Sequence, residues 1–301
     1  REDLAAGRIA ETEFKAAEDR AVDGAIALQE EAGLEVLSDG EMRRLSFQNQ
    51  MTEAVEGFGT WDLDAFLWGD WHGDEAVADR RTDRPPALGV VAPLRPKRRL
   101  CAEEFTYLRA RTSRTPKINL PSPGLFANFY DPERSAAAYP TFEGFMWAVT
   151  EILREEVAEL VRLGASYIQI DAPHYPLFVD PNMRRFYESR GWDMARWLDE
   201  GIALDNAIME GFAGVTFGFH LCRGNQGSRW LVAGDYDAIA APIFKRTLAQ
   251  RLLLEYDDER SGSFEALAQV PDDKTVVLGL ITTKRGDLED PAELIRRVHE
   301  A

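Results

Sequence analysis

Gly164-Ala165-Ser166-Tyr167-Ile168-Gln169-Ile170-Asp171 is the stretch whose reading decides the fold. The glycine closes a long amphipathic helix that follows Pro140 and sets Phe142, Phe145, Val149, Ile152, Leu153, Val157, Leu160 and Val161 on one face. The residues after it read as a short strand that ends on a carboxylate and is stopped by Ala172-Pro173.

The same unit recurs in both directions. Downstream, Val215 to Cys222, Arg251 to Glu255 and Thr275 to Thr282 read as strands. Upstream lie Leu34 to Leu37, Ala87 to Leu94, and Lys117-Ile118-Asn119-Leu120, which Pro121-Ser122-Pro123 must terminate. Helical periodicity separates most of them: Phe14, Ala17, Ala21, Ala25 and Leu28 mark a helix from about Glu11 to Ala32 with Gly33 after it, and Glu103 to Thr112 marks another. Short strands alternating with helices imply parallel pairing through right-handed crossovers. Polar residues collect at the carboxyl ends of these strands, which is what a (β/α)8 TIM barrel predicts. A doubly wound sheet shares that rule, but its Gly-rich phosphate-binding first turn is missing. The reading is a single barrel over residues 1–301. The expected eighth strand lies upstream of Arg1, with a Trp- and Asp-rich insertion at about 57–86 that carries Trp61, Trp68 and Trp71.

Composition narrows the function classes. The chain has 301 residues, 52 acidic against 35 basic side chains, and a formal charge of −17. An acidic surface repels phosphate backbones, so nucleic acid is not an expected partner. No apolar run reaches the roughly 18 residues of a membrane span. Cys101 and Cys222 are too few for a disulfide framework or a four-thiolate metal site, which places the protein in a reducing cytoplasm. No basic segment with an apolar core, as in a signal peptide, is visible at the start.

His220-Leu221-Cys222 is the sharpest local signal, because residues two apart on a strand share a face. Imidazole nitrogen and thiolate sulfur are both zinc ligands, although a His and a Cys facing a core together are as often structural. Glu255 favours the metal reading, since it ends the next strand and brings an oxygen donor to the same mouth. Asp171 is a candidate to hold an ammonium group, or a turn former before proline. Glu41, in Asp39-Gly40-Glu41-Met42-Arg43-Arg44, is a second such carboxylate or a solvated loop charge, and Arg43 and Arg44 pair with an anionic substrate or with their own acidic neighbours. Tyr256-Asp257-Asp258-Glu259-Arg260 reads as a mixed-sign charged loop rather than a magnesium site, and Cys101 as a small buried residue.

Phe219-His220-Leu221-Cys222-Arg223-Gly224-Asn225, Ile168-Gln169-Ile170-Asp171-Ala172-Pro173 and Leu254-Glu255-Tyr256-Asp257-Asp258-Glu259-Arg260 together resemble the catalytic barrel of cobalamin-independent methionine synthases, especially their short single-barrel relatives. The Asp39-Gly40-Glu41 turn and Leu120-Pro121-Ser122-Pro123 fit the same pattern, and the resemblance runs in order from about Leu34 to Thr283. It implies zinc held by His220, Cys222 and Glu255, with a second cysteine expected beyond Ala301. It also implies that Glu41 and Asp171 grip the amino group of homocysteine.

The departures from the family fall on the folate half: Leu280 and Thr282 stand where the family has an Asp and a proton-donating His, Ala172 replaces a Glu, and Phe129 replaces a Trp near the pterin. Arg43, Arg44 and Phe129 are thus expected near substrate, with Thr282 a candidate in proton transfer. The expected activity is zinc-dependent methyl transfer to homocysteine from a methylfolate or a methyl carrier.

Two alternatives stand beside it. One is an epoxide:thiol alkyltransferase of coenzyme M type, in which Arg43, Arg44 or Arg223 faces a sulfonate; the carboxylates at Glu41 and Asp171 speak against it. The other is a non-catalytic zinc-stabilised scaffold, for which the Trp61–Trp71 segment would be a partner surface, just as it would serve an enzyme as a lid or as the contact of a homo-oligomer. A Schiff-base barrel ranks low, because Lys284 is the one lysine close to the end of a recognised strand.

Overall fold

The computed structural model describes residues 1–60, 71–73, 88–189 and 191–301. Helices α1 (Glu2–Ala5) and α2 (Glu11–Glu31) lead into β1 (Val36–Leu37). α3 (Asn49–Ala54), β2 (Val55–Thr60), β3 (Leu88–Pro96) and α4 (Ala102–Arg109) precede β4 (Thr115–Pro121). Strands and helices then alternate as α5 (Phe142–Arg162), β5 (Tyr167–Asp171), α6 (Pro181–Ser189), α7 (Met194–Met209), β6 (Thr216–Leu221), α8 (Asp237–Arg246), β7 (Arg251–Glu255), β8 (Thr275–Gly279) and α9 (Pro291–Glu300).

Six strands form one sheet in the order β1-β4-β5-β6-β7-β8, and every pair is parallel. Neighbours in the sheet are successive in the chain once β2 and β3 are set aside, so the sheet curls as a half-barrel. The described residues thus give an α/β half-barrel with six parallel strands where the sequence suggested seven, and they do not show a closed eight-stranded ring.

The strand expected at Ala87 to Leu94 accounts for the difference. Leu88–Pro96 is antiparallel to Val55–Thr60 in a separate two-stranded sheet. A β-rich run satisfies its backbone groups in a hairpin as well as in a barrel, and alternation alone does not choose between them. Its partner was hidden by Gly57 and Gly59. At Gly57 the register slips, φ is +113°, and an added Cβ would lie 3.0 Å from the Pro93 carbonyl oxygen. Most of the expected Trp- and Asp-rich insertion, with Trp61 and Trp68, lies outside the described residues. Of it, residues 57–60 belong to strand β2 and so to the hairpin, and Trp71–Gly73 is described, with His72 exchanging backbone hydrogen bonds with Trp230 (2.8 and 2.9 Å).

The two faces of the parallel sheet differ in chemistry. Ile118 and Leu120 of β4, Ile168 and Ile170 of β5, Phe217, Phe219 and Leu221 of β6, and Leu252 and Leu254 of β7 join one buried core with Val149, Leu153 and Val157 of α5 and Ile243 and Phe244 of α8. Thr141 caps α5 by accepting the Gly144 N–H at 3.1 Å, and Gly164 ends it with φ +95°. The alternate positions, Lys117 and Asn119, Gln169 and Asp171, His220, and Glu255, form the polar inner face. No helix among the described residues is long and apolar enough to cross a membrane.

Candidate active site

Register sets the site. Asn119 lies opposite Gln169, Pro121 opposite Asp171, and Asp171 opposite His220, so polar side chains from three strands share adjacent levels of the inner face. They open into a cavity of about 660 Å³, whose lining includes Glu41, Asn119, Gln169, Asp171, His220 and Cys222. Phe47, Gln48, Trp71 and the Arg223–Gly227 turn complete the wall.

One side of the cavity holds the two carboxylates. Glu41 reaches it from a turn in which Gly40 (φ +68°) and Glu41 (φ +54°) are both left-handed, a conformation costly for a non-glycine residue. Asp39 Oδ1 holds that turn by accepting the Glu41 N–H at 2.9 Å. Burial raises the Glu41 carboxyl above its ordinary value; Arg44 opposes this, whereas Asp171 and Asp39 add to it. Asp171 is pushed up to about 6 by burial, against the Gln169 hydrogen bond and the charges of Lys117 and Arg44. A buried carboxylate and a half-buried one whose charge it disfavours are both stabilised by a cation placed between them.

The other side holds nitrogen and sulfur. His220 and Cys222 project from the same face of β6 and the turn after it, and both line the cavity. Burial lowers the His220 pKa, but Cys222 and Glu255 outweigh it and leave the imidazole above its usual value. This N,S pair fits zinc. Glu255 is held differently: its carboxylate takes the Arg223 N–H at 2.7 Å, pairs with Arg260, and lies 3.5 Å from Lys284 Nζ. Among the described residues, no three His, Cys, Asp or Glu side chains are gathered around one point. Two of the three sequence-expected ligands therefore come together, and the third is one strand away on cationic partners.

Four further candidates stand off the cavity. Arg43 turns to α2, 2.7 Å from Asp19, and stacks on Tyr107. Arg44 is buried, bonding Glu41 (3.1 Å), Glu104 (2.8 Å) and the Asn119 carbonyl. It braces the Glu41 turn and is not in the cavity lining. Phe129 packs against Phe58 and Phe126, and the Thr282 hydroxyl donates to Asp257 at 2.8 Å. The mixed-sign loop is structural, since Arg260 joins Asp257 and Asp258 as well as Glu255.

Sequence reasoning passed over Asn119, Gln169 and Lys117. Their signal was present: Lys117-Ile118-Asn119-Leu120 and Gln169-Ile170-Asp171 alternate polar with apolar, which on a curled sheet puts the polar members inside. Asn119 lies near the Glu41 carboxylate and favours its charged form, and Gln169 Nε2 donates to Asp171 Oδ1 at 2.7 Å. His174, just past β5, is buried with neither ring nitrogen hydrogen-bonded, and burial lowers its pKa to about 3.

No family model matches the chain. The chain is 28% identical over 306 residues to the Bacillus subtilis (strain 168) protein YxjH, covering 100% of this chain and 78% of that one. It is 25% identical over 298 residues to a protein named methionine synthase from Pyrococcus abyssi, covering 98% and 74%. Among solved structures, it superposes with a TM-score of 0.70 on a B12-independent methionine synthase from Shewanella sp. W3-18-1 in complex with selenomethionine, at 23% identity and covering 97% of this chain and 78% of that one. These relatives fit the resemblance drawn from the strand-end motifs, and the superposition supports the curled α/β fold.

Proposed function

We propose, for a chain whose relatives include proteins named methionine synthase, that it is a zinc-dependent methyltransferase acting on the thiol of homocysteine, with a methylfolate or a methyl carrier as donor. The observation that carries this reading is one cavity whose lining includes Glu41 and Asp171 together with His220 and Cys222. An amino-acid thiol has complementary ends, an ammonium for the carboxylates and a sulfur for the N,S pair.

His220 and Cys222 would hold the metal, with Glu255 as the third protein ligand once its carboxylate is released from Arg260 and Lys284. Bound zinc supplies Lewis acidity, which deprotonates a thiol whose free pKa is about 8.5. The protein's own groups orient the acceptor. Glu41 and Asp171 receive its ammonium, Asn119 and Gln169 fix those carboxylates, and Arg44 anchors the Glu41 turn. The thiol proton leaves to solvent as the thiolate forms; in the transfer the sulfur then forms a bond to the methyl carbon as the carbon–donor bond breaks, and the departing donor keeps that bond's electron pair. Of the three arginines in the sulfonate-binding alternative, Arg43 and Arg44 do not line the cavity and Arg223 does, with its guanidinium turned to the Glu255 and Ser261 carbonyls.

Zinc stoichiometry of the intact protein, with X-ray absorption at the metal before and after homocysteine, tests the reading. One zinc that gains a sulfur neighbour on adding the thiol is expected. Absence of zinc, or a sulfur count that does not change, overturns it.

A further inference from the structure

We propose that Lys117, which does not line the cavity, is a positioning residue that makes the site selective for thiols bearing an ammonium group, by locking the Gln169 amide against Asp171. The inference rests on the reading of the cavity as an amino-acid thiol site. Lys117 Nζ donates to Gln169 Oε1 at 2.7 Å, and Gln169 Nε2 donates to Asp171 Oδ1 at 2.7 Å. The three side chains form one chain of hydrogen bonds along the inner face, from the start of the β4–β5 pairing to the cavity.

The direction of that chain follows from the groups. An ammonium has three donors and no acceptor, so it takes the oxygen end of the amide. The nitrogen end must then face Asp171. Without Lys117 the amide is free to turn over and present its oxygen to the carboxylate, an acceptor against an acceptor. Gln169 is the one residue that hydrogen-bonds the Asp171 carboxylate among the described residues, so its orientation fixes where that carboxylate's second oxygen points. Asn119, directly across the ladder, serves Glu41 in the same way without a lysine behind it. Lys117 also lies close enough to Asp171 and Glu41 to interact with both charges, and so supports the pair while no cationic ligand is present.

The test compares homocysteine with 4-mercaptobutanoate, which keeps the thiol and carboxylate and lacks the ammonium. Calorimetric dissociation constants are measured for the intact wild type, Lys117→Met, Lys117→Arg and Gln169→Leu, with circular dichroism as the check on folding. The wild type is expected to prefer homocysteine by about tenfold or more, the scale of a charge-assisted hydrogen bond. Lys117→Met and Gln169→Leu, which removes the amide without adding charge, should abolish that preference by weakening homocysteine, and Lys117→Arg should retain it. A folded Lys117→Met that keeps the wild-type preference overturns the proposal; should it not fold, Gln169→Leu decides in the same way. A wild type that binds both thiols equally overturns instead the amino-acid thiol reading beneath it.

Discussion

Asp171 and His220 face each other across the β5–β6 ladder, so a carboxylate and an imidazole project from the same level of two adjacent strands. Adjacent parallel strands lie about 4.8 Å apart. Both side chains line the same cavity, so one small molecule with a cationic end and a thiol end can reach both, which is why this pair, more than either residue alone, gives the cavity its reading.

The first prediction concerns the sulfur side. His220→Ala and Cys222→Ser each remove one donor of the N,S pair, and neither residue is part of the apolar core. Both variants are expected to fold with wild-type circular dichroism and to lose bound zinc, measured by elemental analysis after dialysis. Unfolding of both on loss of zinc would make the metal structural and favour the scaffold reading.

The Glu41 turn gives the second. Gly40→Ala places a Cβ at φ +68°, 3.1 Å from Met42 Cε and 3.2 Å from Ala25 Cβ. The left-handed backbone alone costs about 1–2 kcal/mol. A lower denaturation midpoint is expected, together with a raised KM for the acceptor thiol, because Glu41 follows directly. An unchanged KM would show that the turn does not position Glu41 for binding.

Much of this site was legible because strand ends are local. The tripeptide His220-Leu221-Cys222 names its own face, and Asp171 and Glu255 close apolar runs that read as strands without any partner. The illegible parts depend on distant groups. Arg43 and Arg44 are neighbours in sequence, yet one is taken by Asp19 on α2 and the other by Glu104 on α4. Glu255 reads as a free donor until Arg260 and Lys284 are brought beside it. The hairpin of β2 and β3 escaped for a related reason, since Gly57 and Gly59 erase the alternation that would have revealed a strand.

A third prediction tests the close fit behind the cavity. A Cβ on Gly124 would lie 2.8 Å from His174 Cε1, and the His174 ring is itself packed on Tyr175. Gly124→Ala is expected to destabilise the protein by about 1–3 kcal/mol, the usual cost of overpacking. The double variant with His174→Ala should be less than additive in a urea-denaturation cycle. Strict additivity would mean that the two residues do not compete for the same space.

Asp205 supplies the last prediction, in pH. It sits buried on α7 and accepts from the Ser122 hydroxyl at 2.6 Å and the Tyr175 hydroxyl at 2.7 Å, tying the turns after β4 and β5 to one helix. Burial pushes its carboxyl up to about 7, and the two hydroxyl bonds only partly offset that. The folded state therefore binds a proton more tightly than the unfolded chain, whose aspartate titrates near 3.8. The stability gained from the neutral acid is fully present below about pH 4 and is lost as pH rises through about 7, a change on the order of 2–4 kcal/mol. Asp205→Asn keeps an acceptor for one hydroxyl and removes the charge, so its urea midpoint should lose this contribution and change less than that of the wild type between pH 5 and pH 8. Parallel pH profiles for the two proteins would place the titrating group elsewhere and leave Asp205 ionised in the fold.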